Sequence, residues 1–192
     1  MTESNGDIPP PLPGPEVSHA KSFLEFEPTG PVWWYVLRMG GIAFLGAMLI
    51  GFGLGPFLCG SDSMIETIES DPWFFAIFAI VFAPPLETLI LALFLGVSGL
   101  FTKNVVRLSI ASALFWGVLH MLNSPVNGVA VLWPFYIMSR AYLAWRPLGF
   151  WKAFGVTALI HAANNTIPAM LFVLLAGPPA ATPDPTYGQI LP

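Results

Sequence analysis

Apolar residues in this chain neither alternate nor recur along a single face. They run almost unbroken through five stretches, roughly 32–58, 72–100, 105–123, 127–145 and 152–176. Each supplies about the 20 residues that a helix needs to cross ~30 Å of hydrocarbon. The breaks between them are polar. The first holds Asp62, Glu66, Glu69 and Asp71, and the second Lys103 and Arg107. A turn at Asn123-Ser124-Pro125-Val126-Asn127 makes the third break, and Arg146-Pro147 ends the fourth stretch. Runs this continuous do not suit the alternating strands of an outer-membrane barrel. The pattern predicts an all-α, polytopic helical membrane bundle with about five transmembrane helices.

The flanks differ in kind. Residues 1–31 are polar and Pro-rich, lack the apolar core of a signal peptide, and read as an extended or disordered tail. Residues 177–192 form a second Pro-rich tail, leaving 32–176 as the membrane domain. Pro84-Pro85 is expected to bend the second span and free backbone groups there. Gly51-x-x-x-Gly55 reads as a close-packing motif within the bundle.

Composition strengthens the membrane assignment. Of 192 residues, 55% are hydrophobic and 9% charged, against about 25% charged in soluble domains. Seven Lys+Arg against 11 Asp+Glu give a net charge of −4 and no electrostatic footprint for nucleic acid. The single cysteine, Cys59, forms no internal disulfide, and Leu58-Cys59 makes a poor lipoprotein site. Lys21, Arg38, Lys103, Arg107, Arg140, Arg146 and Lys152 all fall on one side of the membrane if the N-terminus is cytoplasmic and five spans follow. The expectation is a multi-pass protein of the cell (inner) membrane. Trp33, Trp34, Trp145 and Trp151 are expected at inner interfaces and Trp73 at an outer one.

Several polar residues interrupt the spans where lipid would penalise them. Glu87 lies in the second, His120 in the third, and His161 and Asn165 in the fifth. A carboxylate at a helix centre costs about 3 kcal/mol on insertion scales. At 1.5 Å per residue, Glu87, His120 and Asn165 lie roughly 20 Å from the inner ends of their spans and His161 roughly 15 Å. The four therefore share a level inside the bundle. A buried carboxylate that exchanges protons with water, two imidazoles and an amide make a constellation suited to hydrolysis. Asn123, one turn from His120, either joins that point or caps the helix.

Three short patterns carry a resemblance. Ala83-Pro84 precedes Glu87, Trp116-x-x-x-His120 follows, and His161-x-x-x-Asn165 closes the series. In order and placement they resemble the three motifs of the CPBP family, the CAAX-protease and bacteriocin-processing (Abi) membrane proteins. The resemblance implies a glutamate-dependent intramembrane endopeptidase acting on a membrane-associated protein or peptide. Glu87 would activate the attacking water, His120 and His161 would assist, and Asn165 would help form the oxyanion site. No cofactor is required, although the same groups could hold a divalent metal. Members of that family process prenylated proteins, bacteriocin leaders or C-terminal anchoring signals. The chain departs from the first motif at Thr88, where the family has a second Glu, and at Ala92, where it has Arg. Read without the resemblance, the same residues also admit a non-catalytic membrane scaffold, a bis-His haem electron-transfer subunit and a proton-coupled transporter.

Overall fold

The computed structural model describes residues 25–54, 57 and 71–176. The remaining parts of both expected tails, with Cys59, Gly55 and most of the acidic 61–71 segment, lie outside the described residues. Among the described residues there is no strand. The chain forms an all-α bundle of five principal helices: α1 (Val32–Leu54), α2 (Pro72–Ser98), α3 (Val105–Met121), α5 (Leu132–Trp145) and α6 (Phe150–Ala176). A short helix, α4 (Pro125–Ala130), precedes α5.

The boundaries have local causes. Asp71 caps α2 by accepting from the Phe74 backbone N–H at 2.9 Å, with Pro72 in the first turn where no donor is needed. Asn104 caps α3 in the same way through the Arg107 N–H at 3.0 Å. Ser124 and Pro125 start α4 rather than ending a turn, as the sequence pattern had suggested. The expected fourth span is divided at Val131, between α4 and α5. Pro134 supplies the reason: a continuous helix would need its missing N–H for the Ala130 carbonyl, and its ring would clash there. Between α5 and α6, Gly149 at φ +116° makes the sharp reversal.

Three helices, α1, α2 and α6, are long and apolar enough to cross a membrane. The expectation that all five would be that long is not met. Helix α3 has 17 residues and α5 has 14, about 25 and 21 Å of rise. Outward faces are apolar: Leu49, Phe52, Leu93 and Leu174 are each at least two-thirds exposed, as a lipid environment permits. The short α5 is the axis of the fold, with Phe135, Ile137, Met138, Ala141, Tyr142 and Trp145 buried against α1, α3 and α6.

Packing depends on small residues and a few polar links. A Cβ added at Gly46 would overlap the Trp133 indole, whose Nε1 donates to the Ile42 carbonyl at 3.0 Å. A Cβ at Gly40 would lie 2.9 Å from that of Ala163, so α1 meets α6 closely there. Gly51, by contrast, makes ordinary contact with Ala130 at 4.0 Å. In the core between α3 and α5, Ser139 Oγ donates to Ser112 Oγ at 2.8 Å.

One expectation near the basic end is corrected. Trp145 is buried edge-on against Tyr35, with ring centroids 5.3 Å apart, instead of anchoring an interface. The described end of the expected N-terminal tail lies against α1 and α5. Tyr35 Oη donates to the Phe26 carbonyl at 2.9 Å, Arg38 Nη2 donates to the Glu25 carbonyl at 2.6 Å, and the Arg140 guanidinium lies 4.5 Å from the Phe26 ring centroid.

Candidate active site

Helix α2 is not a regular α-helix. A π-helical turn covers Phe78–Phe82, immediately before Pro84-Pro85. The prolines explain it. In the π pattern the Ala83 N–H donates to the Phe78 carbonyl. The Ala79 carbonyl would then need an N–H at position 84, and the Ile80 carbonyl one at position 84 or 85. Neither proline has one. A carbonyl left open in an apolar bundle must find another donor. For Ala79 that donor is Asn165 Nδ2 on α6, at 3.0 Å.

This bond determines which way the Asn165 amide points, because a carbonyl only accepts. Asn165 Oδ1 in turn accepts from Asn164 Nδ2 at 2.9 Å. Asn165 thus joins α6 to the broken segment of α2 about two turns ahead of Glu87. The expected bend is realised as a π-turn, and the residue assigned to an oxyanion role also has this second task.

Glu87 follows the prolines and is partly exposed, its side chain 22% accessible. His161 Nε2 lies 3.8 Å from Glu87 Oε2, the only charge-pair distance among the described residues. Arg140 is not a partner for Glu87, because it donates to Tyr136 Oη at 3.2 Å and stacks on Phe26. His161 is buried and its Nδ1 has no hydrogen-bond partner. His120 sits in the last turn of α3, and its Nδ1 lies 2.9 Å from the Trp116 carbonyl. Since that oxygen only accepts, Nδ1 carries the hydrogen and Nε2 keeps its lone pair when the ring is neutral.

Glu87, His120, His161 and Asn165 line one cavity of about 360 Å³. The Phe135 ring contacts both imidazoles, each at a centroid distance of 5.6 Å, and stacks on Trp116 at 4.4 Å. Phe135 therefore sets the positions of the two histidines. Nothing in its sequence context marks it, since it is one aromatic residue among many. Asn123 does join the cavity wall, as do Asn127 and Asn164. The last two were not singled out from sequence. The pattern Asn164-Asn165 beside His161 was the available signal for Asn164.

The two departures from the first motif lie together. Thr88 and Ala92 are one turn apart on a face of α2 that is buried, 1% and 8% exposed. The Thr88 hydroxyl has no partner. That face is turned into the bundle, while Glu87 turns to the cavity. Among the described residues, no three His, Cys, Asp or Glu side chains are grouped so as to hold a metal ion.

The cavity thus gathers a carboxylate, two imidazoles and several amides in a mainly apolar surround, a setting in which proton transfer and anion stabilisation are both available. No known protein family, curated protein or solved structure matches this chain.

Proposed function

We propose that this protein is a multi-pass intramembrane endopeptidase of the CPBP type, seated in the cell membrane with its N-terminus cytoplasmic. The observation that carries the reading is the convergence of Glu87, His120, His161 and Asn165 on one cavity inside a membrane-type bundle. Two of these helices bring the Glu87 carboxylate within 3.8 Å of the buried His161 imidazole. Intramembrane ionisable groups are costly and mark function.

In this mechanism a water bound between Glu87 and His161 attacks the carbonyl carbon of the scissile peptide bond. Glu87 takes the proton that the water loses. The carbonyl oxygen becomes an oxyanion, stabilised by hydrogen-bond donors that line the cavity. The second hydrogen of Asn165 Nδ2 is the candidate donor, with His120 assisting from the cavity wall. Collapse of the tetrahedral species breaks the C–N bond, and Glu87 returns its proton to the leaving amine. The products are a carboxylic acid and an amine, which become carboxylate and ammonium when the acid gives its proton to the amine.

The test compares protein termini in membrane and secreted fractions of wild-type, deletion and Glu87→Ala cells. Specific proteins should keep an unprocessed terminus in both mutants. A deletion phenotype that Glu87→Ala does not reproduce would replace this reading with a non-catalytic scaffold.

A further inference from the structure

Helix lengths and the placement of charge define from which side the cavity is reached. Helices α2 and α6 each have 27 residues, while α3 has 17 and α5 has 14. The four are tied level at one end. There the connection from α2 to α3 carries Lys103, and the connection from α5 to α6 carries Arg146, with Lys152 and Arg107 in the adjoining first turns. All the length difference therefore appears at the other end, where α2 and α6 extend about 15 Å beyond α3.

That overhang shapes the cavity. Its floor includes His120 in the last turn of α3 and Asn123 just after it, together with Asn127 of α4. Its raised walls include Phe75 near the start of α2 and Phe172 near the end of α6, packed edge to face at 5.9 Å. No lining residue comes from the two basic connections. Glu87 and His161 lie about 17 Å from the basic ends of their helices, with the buried α5 between them and that face. Asn123 is exposed, so the floor is open on the overhang side.

We infer that the cavity is loaded from the membrane face opposite the basic connections, which by the distribution of Lys and Arg is the external face. The substrate class is accordingly an exported polypeptide, cut where an apolar segment meets the outer leaflet, and not the cytoplasmic terminus of a lipidated protein. The mixed lining fits such a segment. Phe75, Phe78, Phe135 and Phe172 accept apolar side chains, and the amides of Asn123, Asn127 and Asn164 match the donors and acceptors of an extended backbone. The substrate assignment rests on the proposed protease activity, whereas the direction of access does not.

Two measurements separate these claims. In a Cys59→Ser background, Asn123→Cys, Asn127→Cys and Lys103→Cys are labelled with a membrane-impermeant maleimide in sealed right-side-out and inverted vesicles. Whichever cavity variant accumulates should react in right-side-out vesicles and resist in inverted ones, with Lys103→Cys doing the opposite. The reverse pattern overturns the inference. The proteins whose termini change in Glu87→Ala cells should then be exported ones. Changes confined to cytoplasm-facing termini would also overturn it. If the labelling is as expected but Glu87→Ala alters no terminus, the direction of access stands and the protease reading fails with its substrate class.

Discussion

The bond from Asn165 to the Ala79 carbonyl makes a quantitative prediction, because Pro84 explains why that carbonyl is open. Asn165→Ala removes the donor and leaves the oxygen unsatisfied in the bundle. Such a loss costs about 1–3 kcal/mol in protein interiors. Interhelical hydrogen bonds in membranes average about 0.6 kcal/mol, because the separated helices also find partners. In the separated α2 an ordinary α register would return the Ala83 N–H to the Ala79 carbonyl, so part of the loss is offset there. The expected cost therefore lies between these figures, about 0.6–2 kcal/mol, a factor of about 3–30 in the folding equilibrium. Pro84→Ala supplies an N–H within reach of the Ala79 and Ile80 carbonyls. In that background Asn165→Ala should lose most of its effect. The loss of the Asn164 contact occurs in both backgrounds and cancels from the cycle. Reversible unfolding of the four proteins in mixed detergent micelles with rising dodecyl sulfate measures the coupling. Equal costs of Asn165→Ala in the two backgrounds, within about 0.5 kcal/mol, would refute the reasoning.

Other substitutions test separate parts of the structure. Gly46→Ala should push the Trp133 indole off Ile42 and cost about 1–3 kcal/mol in the same unfolding assay, whereas Gly53→Ala, with open space around it, should cost under about 0.5 kcal/mol. Phe135→Ala should lower stability by about 3–5 kcal/mol and reduce processing by at least tenfold, even in protein that remains folded, because both imidazoles lose their common contact. Leucine at 135, by preserving bulk, should restore more stability than activity. Thr88→Val should be neutral or stabilising, since the buried hydroxyl has no partner to lose, while Thr88→Glu should fail to accumulate because its carboxylate would be buried without a cation.

The proposed access route also gives meaning to the short helices. A bundle of five full-length spans would bury His120 within the hydrocarbon. The 17-residue α3 instead brings it to a helix end beside a polar turn. Water and an extended peptide can then meet Glu87 and His161 without passing through lipid, and the rest of the bundle stays closed. The π-turn in α2 serves the same geometry, since it lies where the overhanging segment begins and is held to α6 by Asn165.

Long apolar runs and sparse charge sufficed to establish that the chain folds as a helical bundle suited to a membrane, because the cost of exposed backbone in lipid leaves few other structures. The ends of α2, α3 and α6 were close to legible, since Asp71, Asn104 and the Arg146-Pro147-Leu148-Gly149 turn act on their immediate neighbours. The polar set Glu87, His120, His161 and Asn165 was legible for a related reason: such residues stand out against a background in which they are costly. Pairing and direction were not legible. That Phe135 touches both histidines, that Trp145 is core, and that Asn164 and Asn127 join the cavity depend on which helix faces meet. An unbroken apolar helix has no distinct buried face in its sequence, because lipid and protein interior select the same side chains. Tertiary structure alone decides these, through close approaches at Gly40 and Gly46 and through the bond from Asn165 to the Ala79 carbonyl.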